Sequence, residues 1–129
     1  MQVIFAVADV ERAVAFYEAA FGWSRNRRID YSNYVEFHVG DGGTLGLYER
    51  SGFAEEIGAV PAALTDGDVA SSYLYVRVDD VDTAVERLEA AGARPLSPLL
   101  ERSWGERAAW FADPDGHVVA VAETAPVAA

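Results

Sequence analysis

The chain contains no cysteine, which removes disulfides, thiol nucleophiles and thiolate metal sites together. Basic groups are also scarce: 10 Lys+Arg stand against 21 Asp+Glu, a formal net charge of -11. Binding to a phosphate backbone depends on basic neutralisation, so no nucleic acid partner is expected. No apolar run reaches the ~20 residues that a membrane helix needs, and no membrane partner is expected either. No basic leader precedes the first strand-like alternation, so the chain reads as cytoplasmic. P-loop, GxGxxG, nucleophile-elbow and HExxH patterns are missing, while DGGTLG and DPDG are turn chemistry. What remains, at 129 residues, 51% hydrophobic and a mean hydropathy of +0.03, is one globular domain spanning 1–129.

What is present is a repeat. Residues 2 to 21, QVIFAVADVERAVAFYEAAF, recur 71 positions later as YLYVRVDDVDTAVERLEAAG, and DGGTLGLYE at 41 to 49 recurs 74 positions later as DGHVVAVAE. Two copies of one unit therefore build the domain, and equivalent positions can be compared within the chain itself.

In the first copy Val3, Phe5 and Val7 alternate with Gln2, Ile4 and Ala6, the period of a strand. Asp9 is placed to cap a helix in which Val10, Ala13, Val14, Tyr17 and Phe21 recur at three and four, and Gly22 ends it. Strands are predicted over Trp23 to Ile29, Tyr34 to Val39 and Thr44 to Glu49, the last two joined through Gly40 to Gly43. The second copy predicts a strand over Tyr73 to Val78, a helix over Val81 to Ala91 stopped by Gly92, and strands over Arg94 to Leu99, Arg107 to Ala112 and His117 to Ala122. The fold class is α+β, two tandem βαβββ modules at 1–50 and 73–124. Residues 51–72 lack periodicity and read as a linker placed to fold over a site, and the run from Thr124 to Ala129 reads as a short tail.

Alternation also assigns faces. Val3, Phe5, Val7, Val35, Phe37, Val39 and Phe111 belong to the helix layer. Gln2, Tyr34, Glu36, His38, Gly46, Tyr48, Tyr73, Tyr75, Arg77, Trp110, Ala120 and Ala122 fall on the open face.

The segments VIFAVADVERAVAFYEAAFGW, VRVDDVDTAVERLEAAGA and FADPDGHVVAVAE together resemble the vicinal oxygen chelate superfamily, which includes glyoxalase I, extradiol dioxygenases and bleomycin resistance proteins. The similarity covers almost the whole chain. It implies paired modules whose mixed sheets curl into a cup, usually completed by a second subunit, so a homodimer is expected. In the superfamily's enzymes a divalent metal in the cup is held from the first and last strands of each module. Those positions fall on Gln2, Gly46, Tyr73 and Ala120 here. Gly and Ala carry no donor atom, neutral Tyr is a poor ligand, and one amide oxygen does not hold a divalent ion. No metal and no cofactor are therefore expected, and catalysis is in doubt.

The open face offers instead a binding surface for a small organic ligand, cationic or aromatic, through Gln2, Tyr34, Glu36, His38, Tyr48, Tyr73, Tyr75, Arg77, Trp104 and Trp110. Trp104 enters that set because the resemblance places a tryptophan at the cup rim. His38 beside Glu36 offers a base with an orienting carboxylate. Arg77 is expected to balance Glu36 or to meet a ligand carboxylate. His117 is expected in solvent, and Arg25, Arg27 and Arg28 on a solvated strand face. The leading reading is a metal-free binder similar to bleomycin resistance proteins. Two alternatives stay open: a superfamily enzyme using a displaced metal at Glu36, His38 and Glu49 or acid-base chemistry at His38, and a structural or regulatory dimer without ligand.

Overall fold

The computed structural model describes residues 1–40 and 42–124, so Asp41 and most of the expected tail lie outside the described residues. Its elements run β1 (Gln2–Val7), α1 (Val10–Phe21), β2 (Ser24–Tyr31), β3 (Tyr34–Val39), β4 (Gly43–Glu49), α2 (Arg50–Ile57), β5 (Tyr73–Arg77), α3 (Val81–Ala90), β6 (Arg94–Glu101), β7 (Glu106–Ala112) and β8 (Val118–Thr124). The chain forms two compact units that meet in sequence between Thr65 and Asp66.

The first unit holds a four-stranded sheet in the order β1-β4-β3-β2, parallel between β1 and β4 and antiparallel elsewhere. α1 begins where the Asp9 side chain accepts from the Arg12 amide at 3.1 Å and ends where Gly22 takes the left-handed conformation at φ 66°, returning its N–H to Glu18. The helix lies against β3 and β4. Between them Phe5, Val7, Val14, Tyr17, Val35, Phe37, Leu45 and Leu47 are buried, as alternation requires. Trp23 stacks on Phe21 at 4.2 Å, and the strand starts one residue later, at Ser24.

The second unit repeats the plan as β5-β8-β7-β6, with α3 against β6, β7 and β8. Asp80 caps α3 by accepting from Thr83, and Val81, Leu88, Phe111, Val119 and Val121 form the core. The ladders give the repeat physical content. Gly46 is flanked by Ile4 and Glu36, and Ala120 by Tyr75 and Trp110, so positions 71 apart on the first strand and 74 apart on the others are structurally equivalent.

The segment read as an aperiodic linker is a correction. It carries α2, capped by the Glu49 carboxylate at the Ser51 amide and closed by Gly58 in the left-handed region. No side chain of α2 is fully buried, so its eight residues leave no apolar period to detect. The rest of that segment is tied to its own unit: the Arg50 guanidinium donates to the Pro61 carbonyl at 2.7 Å, and the Ala70 amide to the Gly116 carbonyl at 2.9 Å. No described helix is long and apolar enough to cross a membrane.

Candidate functional site

The open faces of the two sheets carry the sequence-predicted residues, and each module groups them differently. In module one, three strands converge on a single carboxylate. Glu36 of β3 accepts from the Tyr34 hydroxyl at 2.8 Å, from the Asn26 amide of β2 at 3.2 Å and from the Gln2 amide of β1. Asn26 reaches it because continuing the Ser24–His38 and Arg25–Phe37 pairing by one residue sets Asn26 opposite Glu36, just before the β2–β3 register shifts ahead of Asp30. Glu36 is 7% exposed. Burial alone would raise its pKa, but the Tyr34, Asn26 and Gln2 donors and the nearby His38 charge hold it below the ordinary glutamate value.

Tyr34 stands beside Gly46, and the absence of a side chain there is what admits it. A Cβ at Gly46 would lie within 2.8 Å of the Tyr34 ring and closer still to its hydroxyl. Tyr48, directly across the ladder from Tyr34, meets it edge-on at 5.2 Å. Tyr48 in turn needs Gly52 of α2, where an added Cβ would meet the ring inside van der Waals contact. Gly52→Ala is therefore expected to destabilise the protein by about 1–2 kcal/mol, read in urea unfolding, by prising α2 away from Tyr48.

Two expectations fail in this module. His38 is exposed and does not hydrogen-bond Glu36, whose oxygens are taken by the three neutral donors, so Glu36 does not orient an imidazole base. The arginine run is only partly solvated, since Arg25 and Arg27 both pair with Asp30, at 2.7 and 3.2 Å.

Module two gathers rings. Trp110 meets Tyr73 edge-on at 5.9 Å, Trp104 edge-on at 6.2 Å and Tyr75 at 6.2 Å, while the Arg102 guanidinium lies 4.9 Å over the Trp110 ring. Tyr75 and Trp110 flank Ala120 on adjacent strands, and a larger side chain there would part them. A polar chain fixes the group from beneath. Trp104 donates from Nε1 to the Tyr75 hydroxyl, which donates to Glu106, both at 2.9 Å. Arg77 closes the chain on Glu106 at 2.8 Å and lies 5.0 Å over the Tyr75 ring. The carboxylate that Arg77 balances is thus Glu106 and not Glu36. Arg77 and Tyr75 together hold the Glu106 pKa down, and desolvation, opposed in part by Trp104 and reinforced by Glu106, raises that of Tyr75.

Glu106, Asn26 and Arg102 were not identified from sequence. Glu106 shares the face of Trp110 at a spacing of four, but a strand begun at Arg107 leaves it outside; starting the strand one residue earlier would have found it. Asn26 shares the open face by alternation with Ser24 but sits in the run read as solvated arginines, and Arg102 lies on a loop that alternation does not reach. His117 is half-buried beside the Asp113 turn, and its amide donates to the Asp113 carboxylate at 2.9 Å.

The four positions that the family resemblance assigns to a metal do not make a ligand set. Gln2 is spent on Glu36, the Tyr34 hydroxyl occupies the space into which a side chain from Gly46 would project, Tyr73 packs on Trp110, and Ala120 is buried between two rings. Among the described residues no group of three or more His, Cys, Asp and Glu side chains could hold a metal ion.

Tyr34 also sets an alkaline limit. Desolvation and the Glu36 carboxylate raise its pKa above the ordinary 10.0, so the folded state favours the neutral phenol. Stability from this group is fully present below pH 10 and is lost as pH rises toward the folded-state value. Tyr34→Phe is expected to flatten the loss of stability above pH 10, measured by chemical unfolding across that range.

A family model described as Glyoxalase/Bleomycin resistance protein/Dioxygenase superfamily matches residues 2–121. Among solved structures, a glyoxalase/bleomycin resistance protein/dioxygenase family enzyme from Burkholderia phytofirmans aligns with a TM-score of 0.83 at 22% identity, covering 95% of this chain and 96% of that one. A glyoxalase-related enzyme from Fulvimarina pelagi gives 0.82 at 24% identity, over 95% and 86%. A lactoylglutathione lyase from Agrobacterium tumefaciens gives 0.70 at 23% identity, over 95% and 91%. At these identities the likeness carries the fold and no particular activity.

Proposed function

The chain belongs to the glyoxalase/bleomycin resistance protein/dioxygenase superfamily, and on that premise we propose that it is a metal-independent binder of a flat organic molecule, taken up on the open face of module two. The observation that carries this reading is the ring cluster. Tyr73 and Trp104 are each 55% exposed although they pack on Trp110, and Trp104 and Tyr75 are pinned by a hydrogen-bonded chain ending in an Arg77–Glu106 pair. Rigid, half-exposed aromatics offer large contact area at low entropic loss, and their hydroxyl and indole groups orient what they hold. The donor-poor set Gln2, Gly46, Tyr73 and Ala120 supports independence from metal. The natural assembly in this reading is a homodimer.

A thermal-shift screen of flat aromatic compounds on the purified protein, with and without chelator, tests it. A ligand at 100 times its Kd adds about 2.7 kcal/mol, a rise of roughly 10 °C in Tm, and the rise should be indifferent to chelator. Stoichiometric Ni, Zn, Mn or Fe retained after dialysis, with binding that chelator abolishes, would refute the reading.

A further inference from the structure

The two modules each bury one open-face glutamate to the same 7% exposure, yet they treat its charge differently. Glu106 is neutralised by Arg77. Glu36 is hydrogen-bonded by neutral groups only: its Oε1 accepts from Asn26, and its Oε2 from Tyr34 and Gln2. Among the described residues no arginine reaches it, and His38, its neighbour on the strand face, makes no hydrogen bond to it. A desolvated carboxylate hydrogen-bonded by neutral donors, with the exposed His38 nearby but no ion pair, is suited to receive a cationic partner. The donors differ in how firmly they sit. Asn26 is locked in the bulge by accepting from the Arg28 amide at 3.1 Å, and Tyr34 is wedged at Gly46, whereas Gln2 is exposed at the first position of β1.

We infer that Glu36 receives the primary ammonium group of an organic cation, and that the Gln2 amide is a placeholder which the ammonium displaces. The exchange replaces a hydrogen bond with one charged member by one with two, and neutralises the buried charge. Tyr34 and Tyr48 beside the carboxylate give the apolar part of such a cation an aromatic wall. This goes beyond the proposed site on module two: it is a second site built from module one's own residues, and it rests on the reading only in that the chain binds organic molecules.

The test compares tryptamine with tryptophol, which share an indole and differ in ammonium against hydroxyl, by calorimetric titration of the full chain. Tryptamine is expected to bind at least tenfold tighter, Glu36→Gln to erase that preference, and Gln2→Ala to tighten tryptamine severalfold. In the unmodified protein the assigned 13C carboxyl resonance of Glu36 should shift with tryptamine and not with tryptophol, a readout that stands even if Glu36→Gln does not fold. Equal binding of the two compounds, a preference that survives Glu36→Gln, or a Glu36 resonance that ignores tryptamine overturns the inference and leaves the organic-ligand reading intact. Binding of neither compound, in a protein that no aromatic compound stabilises, overturns both.

Discussion

Gly46→Ala is expected to destabilise the protein by about 3 kcal/mol, far more than a methyl group on an extended strand ordinarily does. The new Cβ would stand within 2.8 Å of the Tyr34 ring, so Tyr34 must swing away and release the Glu36 oxygen that it holds at 2.8 Å. Overpacking contributes about 1–3 kcal/mol and the lost hydrogen bond to a charged acceptor about 1.5–3 kcal/mol, with partial relaxation bringing the total toward the lower end of the combined range. A double-mutant cycle isolates the cause. In a Tyr34→Ala background the same Gly46→Ala change should fall below about 0.5 kcal/mol, because the ring that it strikes is gone. Urea unfolding of the four proteins measures the coupling; additive effects would show that Tyr34 does not depend on Gly46. Gly46→Glu, which would restore an acidic side chain at the family's ligand position, should be destabilised at least as much.

Trp104→Ala is expected to weaken tryptophol binding by about thirtyfold, roughly 2 kcal/mol, while changing global stability little. Trp104 is 55% exposed, so its removal leaves no core cavity, yet it forms an edge of the ring cluster and holds the Tyr75 hydroxyl. Trp104→Phe should recover most of the affinity by restoring the ring face, losing only the indole N–H. Trp110→Ala is a poorer probe because its ring also supports Tyr73, Tyr75 and Arg102. Fluorescence titration of the variants beside their urea midpoints separates binding from folding. Unchanged affinity in Trp104→Ala would move the ligand off this face.

Much of the architecture was legible because its causes are local. Asp9 and Asp80 cap helices, Gly22 stops one, and period-two alternation separates Phe37 and Leu45 from Glu36 and Gly46. The repeat carried equivalence of position from one module to the other, and the ladders reproduce it at Gly46 and Ala120. Where local causes run out, so did the reading. α2 has too few buried side chains to show a period, and the one-residue extension of β7 hid Glu106.

Sequence alone determined which residues face which way and that the metal-ligand positions of the superfamily hold Gly and Ala, since side-chain chemistry and strand period need no partner. Only the tertiary structure decided what those small residues are for. It leaned Tyr34 against Gly46 and set Tyr75 and Trp110 astride Ala120. It gave Arg77 to Glu106 and left Glu36 to Gln2, Tyr34 and Asn26. The partner of a charge is chosen by register and bulges between strands distant in the chain, and neither composition nor alternation encodes that choice.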